Sequence, residues 1–130
     1  MATKFKIAQN PTFKVEVDIP RVGGTTIKVL FEFKYRDRKE LAALFAGWQE
    51  QTKADQERFK AKGDDLTLVE ITDSHIERQI EQVQALVSGW GFDDKFDDAA
   101  IRALVETSAG AGDAIVEAYQ KAFVPARLGN

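Results

Sequence analysis

Hydrophobic and polar residues alternate strictly from Phe13 onward. Phe13, Val15, Val17 and Ile19 share one face and Lys14, Glu16 and Asp18 the other, the period of a strand with one side buried. Pro20-Arg21-Val22-Gly23-Gly24 interrupts the run, because proline ends the strand and the glycines accept positive φ. The alternation resumes with Ile27, Val29, Phe31, Phe33 and Tyr35 against Lys28, Leu30, Glu32 and Lys34, so the two runs predict a β-hairpin. Two strands alone are marginal in water, so the apolar face must pack on helices or meet further strands. The outer edges of the hairpin carry unpaired backbone groups, which makes strand addition by another chain an expectation.

After the hairpin the period changes to that of a helix. Asp37 reads as an N-cap with Glu40 reaching back to it, followed by Leu41, Leu44, Phe45 and Trp48 at three- and four-residue spacing. Beyond Trp48 the stripe thins to Thr52, Asp55 and Phe59, predicting an exposed or frayed second half that ends at Gly63. Leu66 to Ile71 suits a short third strand on the hairpin, although six residues do not separate a strand from a buried turn of helix. Ser74-His75-Ile76-Glu77 reads as a second capping box. Behind it run Ile76, Ile80, Val83, Leu86, Val87 and Trp90, a helical stripe ending at Gly89 and Gly91. Asp97 or Asp98 caps a third helix that turns Ile101, Leu104 and Val105 inward. Ser108-Ala109-Gly110-Ala111-Gly112 breaks it, and Asp113 opens a fourth helix with Ile115, Tyr119, Ala122 and Phe123, which Pro125 is expected to stop. The pattern predicts an α+β fold in one domain over residues 1–130. Residues 1–36 form a polar arm (Met1 to Asn10) and the hairpin, and residues 37–130 form about four helices.

Composition adds limits. A hydrophobic fraction of 44% and a charged fraction of 30% belong to a folded chain with a core rather than a disordered one. No apolar run approaches the roughly 18 residues that cross a bilayer, and no basic-then-apolar leader opens the chain, so the cytoplasm is the expected compartment. Without cysteine there is no disulfide framework, thiolate nucleophile or thiol metal site. The net charge of −3 is unevenly spread: the first forty residues are net basic and the remainder net acidic. Solvated surfaces explain this split, and basic front to acidic back docking of neighbouring copies into rings or filaments is the sharper alternative.

The residues do not assemble a catalytic set. The sole histidine, His75, lies on the first turn of a helix beside Ser74, and adjacent helical residues point in different directions. No phosphate-cradling glycine motif is present. Asp93-Asp94-Lys95-Phe96-Asp97-Asp98 resembles a calcium loop only in charge, because it lacks the central glycine and closing glutamate. These aspartates read instead as helix caps around a hydrophobic plug. Lys34, Arg36, Arg38 and Lys39 are the best basic cluster for nucleic acid, yet a solvated strand end explains them better. Accordingly no catalytic residue, cofactor or metal ligand is assigned. What stands out is an aromatic surplus, nine Phe, two Trp and two Tyr, in which Trp90, Phe92 and Phe96 gather at a helix break. Either they plug the core or they face a partner.

The run Val87-Ser88-Gly89-Trp90-Gly91-Phe92, followed by acidic residues and Phe96, resembles the tail assembly chaperones of long-tailed bacteriophages and prophages. So do Ala114 to Phe123 leading into Ala126-Arg127-Leu128-Gly129-Asn130, and Phe31 to Arg36 with Leu41-Ala42-Ala43-Leu44 ahead of Trp48. The resemblance implies a non-enzymatic protein in the cytoplasm of a bacterial host that binds the tape measure protein and keeps it soluble during tail assembly. It also implies that a longer, frameshifted form can exist. On that basis the surface around Trp90, Phe92, Phe96, Tyr119 and Phe123 is expected to hold an apolar helical client. The competing expectation is that the same rings pack the later helices together. Two other functions stay open: a structural minor tail protein retained in the virion, or a small nucleic-acid-binding protein.

Overall fold

A computed structural model describes residues 11–127, with side chains as far as Phe123; the arm read over residues 1–10 and the last three residues lie outside it. The fold is α+β, as the pattern implied. Strands β1 (Thr12–Pro20) and β2 (Thr26–Lys34) form the hairpin, joined by a turn in which Gly23 and Gly24 have φ of 94° and 84°. Helices α1 (Arg38–Lys62) and α2 (Leu68–Leu86) follow as an antiparallel pair. A short strand β3 (Val87–Trp90) comes next, and then α3 (Asp98–Thr107) and α4 (Ala111–Arg127). The sheet is antiparallel in the order β1-β2-β3, with Phe13 opposite Phe33 and Val17 opposite Val29, and Trp90 of β3 opposite Phe31.

The inward face of the hairpin is the predicted one. Val17, Ile19, Val29, Phe31 and Phe33 are buried together with Ile80, Val83 and Leu86 of α2, Ile101 and Val105 of α3, and Ile115, Tyr119 and Phe123 of α4. One sheet face thus meets three helices, which settles how two marginal strands become stable. Asp37 caps α1 by accepting from the Glu40 amide at 2.8 Å, Gly63 ends it with φ of 53°, and Asp97 caps α3 by accepting from the Ala100 amide at 2.8 Å.

Three local expectations are corrected. The third strand is Val87–Trp90, not Leu66–Ile71, so a strand lies within the stretch read as wholly helical. Leu66–Ile71 enters a helix because Thr67 already caps it, its hydroxyl accepting from the Glu70 amide at 3.2 Å; α2 therefore begins at Leu68, six residues before Ser74. At its other end α2 stops at Leu86, and the chain passes straight into β3. The last α2 carbonyls, Gln84 and Ala85, accept from Lys34 Nζ at 3.2 Å and an Arg36 guanidinium nitrogen at 2.6 Å. Two cations of the suspected nucleic-acid cluster thereby serve as helix caps at the negative end of the dipole.

The second half of α1 is mostly exposed, as the thinning stripe implied, and it is not frayed. It remains helical to Lys62, held by polar contacts where apolar ones are missing. Asp55, 6% exposed, takes a bidentate hold from Arg78 of α2 (2.7 and 2.8 Å) and a further contact from Arg58 at 3.0 Å. These cations, Arg78 foremost, hold the Asp55 carboxyl down to about 2. Lys62 and Glu70 close the far end of the pair at 2.6 Å. Finally, α4 continues two residues past Pro125 to Arg127. A proline in a last turn forfeits one backbone bond, which does not by itself end the helix one residue earlier.

Candidate partner-binding site

The loop after β3 is built to seat aromatic rings. Gly91 donates its amide to the Leu30 carbonyl at 2.7 Å, and a Cβ at that position would meet this oxygen at 3.3 Å, so glycine allows the close approach. The chain then turns, and the Trp90 indole donates to the Asp94 carbonyl at 2.8 Å, which fixes the ring edge-on to its neighbours. Phe92 and Phe96 each stand about 5.0 Å from Trp90, nearly perpendicular, and Phe31 closes the group from the sheet at 6.2 Å from Trp90 and 5.9 Å from Phe92. Asp97 and Asp98 tie down the far side of the loop, Asp98 by accepting from Gln84 at 3.0 Å.

The five predicted contact residues fall into two groups. Trp90, Phe92 and Phe96 are half-buried and reach the surface. Tyr119 and Phe123 are buried in α4, with Tyr119 in T-shaped contact with Phe33 at 5.3 Å and donating its hydroxyl to the Lys34 carbonyl at 3.0 Å. Phe123 stacks on Tyr35 at 5.8 Å and on Tyr119 at 6.0 Å. Phe31 and Phe33, 6.1 Å apart, bridge the two groups into one row of rings across the sheet. Burial raises the Tyr119 hydroxyl above the usual phenol range.

A groove of about 230 Å³ opens beside the first group. Its floor and one wall are Trp90 and Phe92; the other wall is α3, through Ala100, Ala103, Leu104 and Thr107, with Asp94 at one end. Only Leu104 of the α3 wall carried a sequence expectation, and that was as a core residue. The signal was present in Ala100, Ala103 and Thr107, small residues at helical spacing, but sequence alone does not tell a groove wall from a bland solvent face. No set of three or more His, Asp and Glu converges to hold a metal ion among the described residues. His75 is exposed on α2 and its neighbour Ser74 accepts from Arg58 at 3.2 Å.

A family model described as phage tail assembly chaperone matches residues 1–130, the whole chain. The chain belongs to that family. No curated protein and no solved structure matches it. Membership gives this tail assembly chaperone a role in building a phage tail and implies a phage tail protein as its partner. No helix among the described residues is long and apolar enough to cross a membrane.

Proposed function

We propose that this chaperone, without catalysis, holds the tape measure protein soluble in the cytoplasm of the host, and that the groove between Trp90, Phe92 and α3 is where an apolar helical segment docks. The observation that carries this reading is the groove's make-up. Aromatic rings on one side give large contact area at low entropic cost, while Ala100 and Ala103 on the other let a helix backbone come close. Trp90, Phe92 and Phe96 are the contacts, and Tyr119 and Phe123 act from behind, through Phe33 and Phe31, by holding the row in place.

The test keeps folding and binding apart. Ala103 is exposed, so Ala103→Arg fills the groove mouth without removing a core contact. Co-expressed with the tape measure protein, this variant should keep the wild-type melting temperature and lose co-solubilisation. Phe92→Ala should weaken capture as well. An Ala103→Arg variant that captures the client as the wild type does would move the client surface elsewhere. Persistence of the chain in purified virions would favour the structural tail protein instead.

A further inference from the structure

The sheet has a second edge, opposite the groove. β1 spans nine residues, and among the described residues nothing pairs with its outer side except at one end, where the Ser108 hydroxyl donates to the Pro20 carbonyl at 2.9 Å. The bond pattern says which residues face outward. The Tyr35 amide donates to the Pro11 carbonyl, and the Arg21 amide to the Thr25 carbonyl, at the two ends of the β1–β2 ladder. Hydrogen-bonded pairs recur at every second residue of an antiparallel ladder, so odd-numbered residues of β1 bond to β2. The amides and carbonyls of Thr12, Lys14, Glu16 and Asp18 therefore point away from the sheet. Alongside them lies a groove of about 390 Å³ between β1 and α4, walled on the α4 side by Ala114, Ala118 and Ala122 together with Glu117 and Lys121.

We infer that a second copy of this chain pairs with this edge, β1 against β1 antiparallel about a two-fold axis at Val15, joining two three-stranded sheets into one. The charges select this partner and this register. Outward-facing residues must bond to outward-facing residues, so the axis falls on a residue, near the middle of β1 at Lys14, Val15, Glu16 or Val17. An axis at Lys14 sets lysine against lysine, one at Glu16 sets glutamate against glutamate, and one at Val17 sets Glu16 against Asp18. An axis at Val15 places Lys14 opposite Glu16 of the second copy, and Glu16 opposite its Lys14, with Thr12 opposite Asp18. Opposite charges facing across strands stabilise a pair and like charges oppose it. The apolar face stays in register too, with Val15 meeting its own copy and Phe13 meeting Val17 of the second copy. Ala114, Ala118 and Ala122 of α4 leave room beneath the added strand, and Glu117 and Lys121 line the same groove with charges of opposite sign.

This assembly is isologous and two-fold, unlike the head-to-tail rings or filaments that basic-to-acidic docking would build. It also leaves both Trp90 grooves free, since these lie at the β3 edge. A dimer would offer a client two grooves, and the second binding event would become intramolecular. The inference does not rest on the client reading, and the two fail separately, because association is measured without any client.

Sedimentation of the full chain at low salt, from micromolar to millimolar, is expected to show a reversible monomer–dimer equilibrium that weakens as salt rises. Glu16→Lys sets lysine against lysine on both sides of the axis and should raise the dissociation constant about tenfold or more. The double swap Lys14→Glu with Glu16→Lys should restore it to within about threefold. Glu16→Pro removes an outward amide that β2 does not use, and should abolish the dimer with the melting temperature retained. Hydrogen exchange adds a positional readout: the Lys14 and Glu16 amides should gain protection with concentration, while the Val15 amide is protected throughout. A monomer at millimolar concentration, open-ended oligomers, or a double swap that fails to rescue the single variant would each overturn the inference.

Discussion

Asp55 and Arg78 are expected to contribute unequally to stability, although they form the same ion pair. The Asp55 side chain is 9% exposed, that of Arg78 30%, and that of Arg58 52%. Arg78→Ala leaves a buried carboxylate with one solvated partner, the situation that makes breaking a buried pair costly. Asp55→Ala leaves a cation that still reaches Glu81 at 3.1 Å and water. For a fully buried pair the loss is about 3–5 kcal/mol. Partial exposure of Arg78 places Arg78→Ala at the low end, about 3 kcal/mol, and Asp55→Ala at roughly 1–2 kcal/mol. In a domain of this size the first corresponds to a fall of about 10 °C in melting temperature. The same cluster sets an acid limit. The Asp55 carboxyl is lowered to about 2 in the folded chain, so its contribution is complete above the ordinary carboxylate range. It is lost as pH falls from about 4 toward 2, and amounts to about 2 kcal/mol at most. Urea unfolding followed by circular dichroism at pH 7 and at pH 3 measures both effects. Asp55→Asn should lose less stability than the wild type between the two. Equal costs for Arg78→Ala and Asp55→Ala, or an unchanged acid loss in Asp55→Asn, would refute the idea that this cluster docks α1 on α2.

Phe31→Ala removes a fully buried ring touching Phe33, Trp90 and Phe92, and should cost about 3–5 kcal/mol in urea unfolding, whereas Leu30→Ala on the solvent face should cost under about 1 kcal/mol. Tyr119→Phe should lose about 1–2 kcal/mol by thermal melting, since it orphans the Lys34 carbonyl without opening a cavity. Gly112→Ala should destabilise despite the better helix propensity of alanine, because the new Cβ would stand 3.0 Å from Gln79 Cδ and 3.2 Å from its Cβ; a rise in melting temperature would mean that α2 gives way there.

Much of the fold was legible because each signal was local and redundant. The hairpin announced itself by nine alternating residues on either side of a glycine turn, and the caps at Asp37 and Asp97 by a single side chain in the right place. The failures came where two local signals competed. Leu66–Ile71 has strand-like residues and an N-cap at Thr67, and the cap won because Lys62 engages Glu70 and extends the helical pair. Val87 to Trp90 continues a helical stripe by spacing, yet lies opposite the Phe31–Phe33 stretch of β2, where a strand is needed to cover Phe31. That need is set more than fifty residues away and leaves no trace in the local period.

The candidate site was legible in part for the same reason. Aromatic residues at a helix break drew attention to Trp90, Phe92 and Phe96, and these three are the ones that reach the surface. Tyr119 and Phe123 have the same chemistry, but regular helical spacing gives no measure of how deeply a helix is sunk. Their burial depends on α4 lying against β1, a contact between the two ends of the chain. The missing half of the groove, Ala100, Ala103 and Thr107, is invisible for the opposite reason: small residues become a wall only once an aromatic ring stands across from them. The groove is thus a property of two segments, neither of which carries it alone. Under the proposed function, client capture should therefore respond to changes on α3 as strongly as to changes in the rings.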